Sequence, residues 1–314
     1  MIKTKSPGPE HRAQRHYVLA GHSIEAGRIA AGLHIVATPI GNLGDISLRA
    51  LTTLAGVDMI ACEDTRVTRK LLDRYAIETP LTPYHDHNAA VARPKLLRRL
   101  AEGTSIALVS DAGTPLVSDP GYKLVREAQQ AGHVVTTLPG ASAVLTALTL
   151  AGLPTDQFLF AGFLPPKQAA RRGRIAELAR VQATLVLFET GPRVATALAD
   201  LADGLGHREA ALCRELTKLH EEIRRGDLAS LAQGCATAEV RGEIVLVIAP
   251  PTAVERPSAD DADALLRRAL SRVSLKDAVG EVAVATGLPR RELYQRALVL
   301  AKEEHHESDH GAPR

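Results

Sequence analysis

Two groups of ionisable side chains follow apolar segments of the chain and could transfer a proton. Two acidic residues come directly after segment 59–62, and an acidic residue between two histidines comes after segment 81–84. Carboxylates and imidazoles often act as general bases. A structural role is the alternative, with Glu63 and Asp64 as ion-pair partners of Arg66. The candidates for a catalytic base are Glu63, Asp64, His85, Asp86, His87 and Lys218.

Small and polar residues follow three other apolar segments. They are residues 39–41 after segment 33–38, residues 111–114 after segment 106–109, and residues 140–142 after segment 133–138. Glycine lets a backbone approach a ligand closely, and the start of a helix favours negatively charged groups. These stretches therefore predict binding surfaces. An ordinary loop between a strand and a capped helix is the alternative.

The elements that must position these residues alternate between strands and helices. Residues 106–109 predict a buried parallel strand, and a helix follows from Pro120 with Asp119 as its N-cap. Strands that alternate with helices of this length indicate a parallel sheet. Since open α/β sheets bind ligands at the carboxyl ends of their strands, we expect the polar loops to form one site.

The chain divides into five predicted regions. They are a flexible basic extension over 1–31, an N-terminal α/β domain over 32–152, a C-terminal α/β domain over 153–251, a helical appendage over 257–302 and a disordered tail over 303–314. Lys3, Lys5 and Arg12 contribute to the charge of the extension. The helices of the appendage have the spacing of a helix-turn-helix.

Composition excludes several classes of protein. The 314 residues carry a net charge of +2, so any contact with nucleic acid must come from local patches. Three scattered cysteines are too few for a disulfide framework or a zinc site, and we expect no metal and a reducing, cytoplasmic location. No apolar run is long enough to span a membrane. Aromatic residues make up 3%, which argues against an extended base-stacking platform.

Seven short strings occur in order along the chain. They are TPIGNLGDISLRAL (38–51), CEDTR (62–66), HDHN (85–88), SDAGTPLVSDPG (110–121), PGASA (139–143), GFLPPK (162–167) and RELTK (214–218). Together they resemble the ribosomal RNA small subunit methyltransferase I family, a branch of the tetrapyrrole methylases. The resemblance covers residues 33–250 and continues more weakly through the C-terminal helices.

The resemblance implies a fold, a cofactor and a substrate. The fold would be two α/β domains, with a mostly parallel N-terminal sheet, a mixed C-terminal sheet and a cleft between them. The methyl donor would be S-adenosylmethionine (SAM), and the acceptor the ribose 2′-oxygen of a decoding-region cytidine of 16S rRNA in the 30S subunit. A homodimer is also implied. The residues that match the family's cofactor-binding motifs are Pro39, Asp111, Thr114, Ser142, Ala143 and Phe188.

Two basic clusters near the expected cleft mouth could contact RNA phosphates. The candidates are Arg66, Arg69, Lys70, Lys167, Arg171 and Arg172, with Arg174 beside them. Solvated helix faces are the alternative. The sequence departs from the family in two places. Residues 190–193 after Glu189 are TGPR, without the histidine of the family's usual Pro-His-Arg step, and Ala89 follows the HDHN string where the family often has glutamate.

Two other functions compete with methylation of ribosomal RNA. One is methylation of a tetrapyrrole such as a corrin precursor by the same fold, which the arginine-rich loops and the HDHN and RELTK strings disfavour. The other is a non-enzymatic nucleic-acid regulator that uses residues 262–300. The last helix of that segment is only modestly basic, with Arg290, Arg291 and Arg296 against Glu292.

Overall fold

The computed structural model describes residues 15–237, 240–251 and 259–309, and the chain divides into two compact units, 1–251 and 252–314. Lys3, Lys5 and Arg12 of the predicted basic extension lie outside the described residues. Across the described part of the chain, no helix has the length and apolar character needed to cross a lipid bilayer.

The first unit begins with a hairpin, β1 (His16–Leu19) paired antiparallel with β2 (His22–Glu25). Tyr17 is buried in the adjacent core, and Arg15 Nη2 forms a 2.6 Å ion pair with Asp58 Oδ1. The prediction of a flexible extension over 1–31 is therefore wrong for residues 16–25. The prediction relied on the many charged residues of this segment and overlooked the strand that buries Tyr17 in the core.

The first half of this unit is built on a five-stranded parallel sheet. Its strands are β3 (Gly32–Val36), β4 (Met59–Cys62), β5 (Leu81–Pro83), β6 (Ser105–Val109) and β7 (Val135–Leu138). Its helices are α1 (Leu48–Gly56), α2 (Thr65–Arg74), α3 (Ala89–Ala101), α4 (Tyr122–Gln130) and α5 (Ala143–Ala151). The order β5-β4-β6-β3-β7 puts the fully buried β6 at the centre, and all carboxyl ends meet at one edge.

The second half contains a five-stranded mixed sheet, in the order β11-β10-β12-β9-β8. Its elements are β8 (Phe158–Phe163), α6 (Gln168–Leu178), β9 (Thr184–Thr190), α7 (Gly191–Leu205), β10 (Glu209–Arg214), β11 (Glu222–Asp227), α8 (Leu228–Thr237) and β12 (Glu243–Ile248). Only β8 and β9 are parallel. The predicted fold class, a mostly parallel first sheet and a mixed second sheet, is confirmed.

Helix α5 joins the two halves. Its apolar face packs with residues of the second sheet in one core, made of Val144, Ala147, Leu148 and Ala151 with Val186, Ala211, Val245 and Val247. Small residues allow the helix to approach the sheet closely. Ser142 caps the helix by accepting a hydrogen bond from the Leu145 N–H. The loop before α5 therefore lies against both halves.

The start of α4 differs from the prediction that Asp119 would be its N-cap. The helix begins at Tyr122, and the N-cap position is occupied by Gly121 with φ of 138°. Only glycine adopts this backbone conformation without strain. Asp119 lies before this chain reversal, so the N-cap prediction is wrong.

The described residues of the second unit, 259–309, form three helices, α9 (Ala259–Leu270), α10 (Leu275–Thr286) and α11 (Arg290–Asp309). They share a core that includes Leu266, Val282 and Leu293. Ser274 caps α10 by accepting a hydrogen bond from the Asp277 N–H. The disordered tail predicted over 303–314 is wrong for residues 303–309, because the helical backbone of α11 continues through them; residues 310–314 lie outside the described part.

Candidate active site

A cavity of about 420 Å³ lies where the carboxyl edge of the first sheet meets the second half. The first half contributes Ile40, Glu63, residues 111–114, residues 117–119 and residues 142–144; the second half contributes Phe163, residues 188–190, Leu216 and residues 243–245. All predicted cofactor-binding residues except Pro39 line the cavity. Pro39 is buried beside it, and the next residue, Ile40, takes part in the wall.

The loops after β3 and β6 are joined by hydrogen bonds between their backbones. Thr38 N–H donates to the Gly113 carbonyl at 2.8 Å, and Gly113 N–H donates back at 3.0 Å. Gly113 has a φ of 75°. A Cβ added at this position would lie 3.3 Å from Ile40 Cγ2. A side chain at this position would be strained and would fill the wall of the cavity. The glycine in the SDAGTP string is explained by this close packing.

The loop after β10 closes the cavity from the second half. Asn42 N–H donates to Thr217 Oγ1 at 3.1 Å, which links the loop after β3 to this loop. A Cβ at Gly41 would lie 2.9 Å from the Leu216 carbonyl oxygen, so the two backbones are in contact. Glu215 and Thr217 both have positive φ. Such strained conformations persist only where the surroundings fix them, and they cluster at functional sites.

Three phenylalanines form an aromatic cluster in the second half. The ring of Phe188 lies 4.7 Å from that of Phe160 and 5.6 Å from that of Phe163, both edge to face. Phe188 and Phe163 line the cavity. In a chain with four phenylalanines, this concentration gives the cavity an apolar wall opposite its polar loops.

Carboxylates dominate the charge of the cavity. Its lining contains Glu63, Asp111, Asp119, Glu189 and Glu243 and no lysine, arginine or histidine. Burial, and then the charges of nearby aspartates, raise the pKa of Glu63. Burial also raises the pKa of Asp111 and of Asp119. A site of this charge favours a cation and disfavours a phosphate.

Among the predicted catalytic residues, only Glu63 lines the cavity. Asp64 is the N-cap of α2, and hydrogen bonds from Arg66 lower its pKa to about 2, which makes it a weak base. His85 and His87 lie in the turn between β5 and α3, with ring centroids 6.1 Å apart. Asp86 lies in the same turn as the two histidines, so Glu63 is the one of these five residues that lines the cavity.

Lys218, the further candidate for a base, is held by two ion pairs. Its Nζ lies 2.9 Å from Glu215 Oε1 and 2.8 Å from Glu243 Oε2. Burial lowers the pKa of Lys218, but these carboxylates outweigh burial and raise it overall. A protonated lysine in this arrangement cannot accept a proton.

The predicted RNA-binding residues fall into two groups. Arg66, Lys70, Lys167 and Arg172 are exposed and Arg69 is half-buried, whereas Arg171 is buried. The guanidinium of Arg171 forms a 2.6 Å ion pair with the buried carboxylate of Asp200 and donates to the Pro166 carbonyl. This ion pair joins α6 to α7, so the charge of Arg171 is neutralised within the fold. Arg171 is therefore withdrawn from the RNA-binding candidates.

Several residues of the cavity were not predicted from the sequence. Leu216 and the first residues of β12 line it, together with Glu189 at the end of β9. Because β12 runs antiparallel to β9, the start of one strand lies beside the end of the other. A sequence does not reveal strand order, so the position of β12 could not be inferred. Glu189 could have been proposed from the sequence, because it directly follows the apolar segment 185–188 just as Glu63 follows segment 59–62.

Comparison with known proteins defines the family. The family described as Tetrapyrrole (Corrin/Porphyrin) Methylases matches residues 32–232, and the RsmI C-terminal HTH domain matches residues 256–301. Solved structures of this fold include diphthine synthase, with a TM-score of 0.54 and 16% identity over 69% of this chain and 89% of that one. A conserved hypothetical protein from Aeropyrum pernix has a TM-score of 0.56 and 18% identity, and the match covers 88% of this chain and 98% of that one.

Curated relatives are more similar. The ribosomal RNA small subunit methyltransferase I of Mesorhizobium japonicum is 51% identical over 88% of this chain and 95% of its own length. The protein of the same name from Vibrio cholerae is 47% identical over 85% of this chain and 94% of its own length. The chain belongs to the tetrapyrrole methylases and, within them, to the ribosomal RNA small subunit methyltransferase I family.

Members of this family are SAM-dependent methyltransferases, and the cavity fits SAM. The donor carries a sulfonium, an ammonium and a carboxylate, and an acidic lining without cationic side chains attracts its net positive charge. Asp111 and Thr114 could hold its methionine part, Ser142 and Ala143 could lie beside it, and Phe188 supplies an apolar surface. When bound, SAM supplies an electrophilic methyl group.

Proposed function

We propose that this protein methylates the ribose 2′-hydroxyl of a decoding-region cytidine of 16S rRNA, within the 30S subunit. The observation that carries the proposal is the cavity at the carboxyl edge of the first sheet, whose lining is acidic and contains no cationic side chain. Its charge suits a sulfonium donor, and curated relatives that are 51% and 47% identical carry the name of an rRNA methyltransferase. We also propose a cytoplasmic location, because the proposed substrate is the ribosomal subunit, and a homodimer as the assembly.

Glu63 is the proposed general base. A ribose hydroxyl is a poor nucleophile until its proton leaves, and a positioned base contributes about 10²–10⁴-fold to such a step. Glu63 lines the cavity, and burial and neighbouring carboxylates raise its pKa toward the range in which a carboxylate accepts a proton well. Alignment of donor and acceptor supplies the remaining rate enhancement.

The acidic cavity also restricts how RNA enters. Phosphates are repelled by the carboxylates, so we propose that a single nucleotide is extruded into the cavity while its neighbours stay at the mouth. Arg66, Arg69, Lys70, Lys167 and Arg172 are the proposed phosphate contacts there. Arg66 has an 87% exposed side chain and reaches solvent even though it pairs with Asp64.

The test is transfer of a radiolabelled methyl group from SAM to purified 30S subunits. We expect the label to be recovered in a 2′-O-methylated cytidine after complete digestion of the RNA. Label recovered on a base, or no label in RNA when the protein binds SAM normally, would contradict the proposal. A SAM titration in the same buffer separates the second outcome from a failure to bind the donor.

A further inference from the structure

A second cavity, of about 610 Å³, runs along the outer edge of the first sheet between β5 and α3. One face of α3 forms its wall, with Val91, Ala92, Lys95, Leu96, Arg98, Arg99 and Glu102 at the floor and rim. Met59, Thr82 and Pro83 form the opposite side, and Asn88 closes one end. We call this cavity the edge groove. It shares no lining residue with the candidate active site.

The edge groove is basic, in contrast to the active-site cavity. Lys95, Arg98 and Arg99 are all exposed, and residues three and four positions apart lie on the same face of a helix. Glu102 is the one acid in the lining, and it pairs with Arg99 at 3.5 Å. Lys95 and Arg98 form no ion pair with any residue that the structure describes. Two positive charges therefore face the groove uncompensated.

The groove also has an apolar floor and an open strand edge. Val91 is 65% exposed at its rim. β5 is the edge strand of the sheet, so its outer backbone groups have no strand partner within the described chain. A ligand that fits would combine negative charge with flat apolar surface and hydrogen-bonding groups. A nucleic-acid strand has all three, since its phosphates alternate with sugars and bases.

The position of the edge groove connects it to the active site. β5 lies beside β4 in the sheet, and Glu63 follows β4. The turn from β5 into α3 contains Asp86, whose charge is among those that act on Glu63. Asn88 stands at the end of this turn and lines the groove. An RNA strand that leaves the acidic cavity at Glu63 would reach the groove after crossing this turn.

We propose that the edge groove is a binding site for the RNA backbone, with Lys95 and Arg98 as its phosphate contacts. The inference rests on the proposed function, because it assumes an RNA acceptor whose target nucleotide occupies the acidic cavity. The groove holds the strand that flanks this nucleotide. Binding energy gained there positions the ribose in the cavity without placing a phosphate among the carboxylates.

The experiment compares the double variant Lys95→Glu/Arg98→Glu with the wild type and with a matched control. The control is Arg28→Glu/Arg74→Glu, which makes the same change in charge at exposed residues outside both cavities. Three quantities are measured: the Kd for SAM, the KM for 30S subunits, and the Kd for a decoding-region RNA fragment over a range of salt concentrations.

We expect the groove variant to bind SAM as the wild type does and to raise the KM for 30S subunits at least about tenfold. Each lost phosphate contact lowers the slope of log Kd against log salt by about 0.7–0.9, so two lost contacts lower it by about 1.5. The control should match the wild type. A milder variant, Lys95→Gln/Arg98→Gln, should raise the KM for 30S subunits by an intermediate factor. It keeps the test valid if the charge-reversal variant does not fold.

Unchanged KM and salt slope in both groove variants would overturn the proposal while leaving the proposed function intact. A change in oligomeric state with unchanged RNA affinity would also overturn it, since the groove would then hold another protein chain. Failure of the proposed function is a separate result, because the wild type itself would place no methyl group on ribose.

Discussion

At the scale of single residues, the candidate active site contains carboxylates of two kinds: Glu189 and Glu243 pair with Arg193 and Lys218, whereas Glu63, Asp111 and Asp119 form no ion pair with a described residue. Glu63 and Asp119 lie in one cavity with Asp111, whose Oδ1 also accepts a hydrogen bond from the Asp64 N–H at 3.0 Å. Mutual repulsion and burial make each carboxylate easier to protonate, and a bound cation relieves that repulsion. The same residues can therefore bind the donor and accept a proton from the acceptor.

Glu63→Gln should abolish most methyl transfer because the amide cannot accept a proton. We expect kcat to fall about 10²–10⁴-fold, with a much smaller change in the Kd for SAM. In the wild type, kcat should fall as the pH drops through the raised pKa of Glu63, because only the deprotonated carboxylate acts as a base. The measurement is a pH–rate profile beside that of Glu78→Gln, an exposed control. Equal activity of Glu63→Gln and the wild type would exclude Glu63 as the base.

Asp119→Asn should weaken binding of SAM more than binding of S-adenosylhomocysteine, which lacks the sulfonium charge. A unit charge about 8 Å away in an effective dielectric of ~20 contributes roughly 2 kcal/mol, so we expect about a thirtyfold loss for SAM. Acidification should act in the same direction, since protonation of Glu63, Asp111 and Asp119 removes the attracting charge as pH falls through their raised pKa values.

Calorimetric titration of both ligands at two pH values measures this difference. Glu177→Gln, which removes an exposed carboxylate on α6, serves as the control. Equal losses for the two ligands in Asp119→Asn would show that Asp119 acts through shape and not through charge.

At the scale of elements, loops from different strands hold one another in place around the cavity. The loop after β3 bonds to the loop after β6 through Thr38 and Gly113, and to the loop after β10 through Asn42 and Thr217. Leu116 and Ser118 in the loop after β6 have positive φ, as do two residues of the loop after β10. The site is therefore maintained by contacts between loops that are far apart in sequence.

Gly41→Ala tests this dependence. The new Cβ would lie 2.9 Å from the Leu216 carbonyl oxygen and would push the two loops apart. We expect a loss of about 1–3 kcal/mol in stability and weaker SAM binding. Gly27→Ala is the matched control, because its Cβ would meet nothing within 4 Å. Thermal unfolding and SAM titration measure both effects, and wild-type behaviour of Gly41→Ala would show that the two loops move independently.

Elements within the first sheet were largely predictable, while positions set by long-range pairing were not. The apolar run of β6 and the polar residues after the strands are local signals, and the structure has them where the sequence indicates. β11 has the sequence EIRRGD, which contains no apolar run, so the sequence does not predict this strand. The sequence around Arg171 is typical of an exposed helix face. Its burial depends on the ion pair with Asp200, which is 29 positions away in the chain.

At the scale of the whole molecule, each of the two units has its own apolar core. Tyr17, Leu54 and Ile60 belong to one of the cores of the first unit, whereas Leu266 and Leu293 belong to the core of the second. Every residue that lines the candidate active site lies within the first unit. Donor binding should therefore not require the three C-terminal helices.

Truncation after Pro251 should leave a folded protein that binds SAM with the affinity of the full chain. We expect weaker binding to 30S subunits, because residues 256–301 match the RsmI C-terminal HTH domain. Circular dichroism, SAM titration and 30S binding of the truncated and full-length proteins give the comparison. Unchanged 30S affinity would mean that the first unit alone recognises the RNA.

The most direct test of the central claim is a crystal structure of the protein with SAM bound. We expect the ligand in the cavity between the two halves, with Asp111, Thr114 and Ser142 on one side and Phe188 on the other, and its sulfonium near Glu63 or Asp119. SAM bound anywhere outside this cavity, or a sulfonium surrounded by apolar side chains far from these carboxylates, would contradict it.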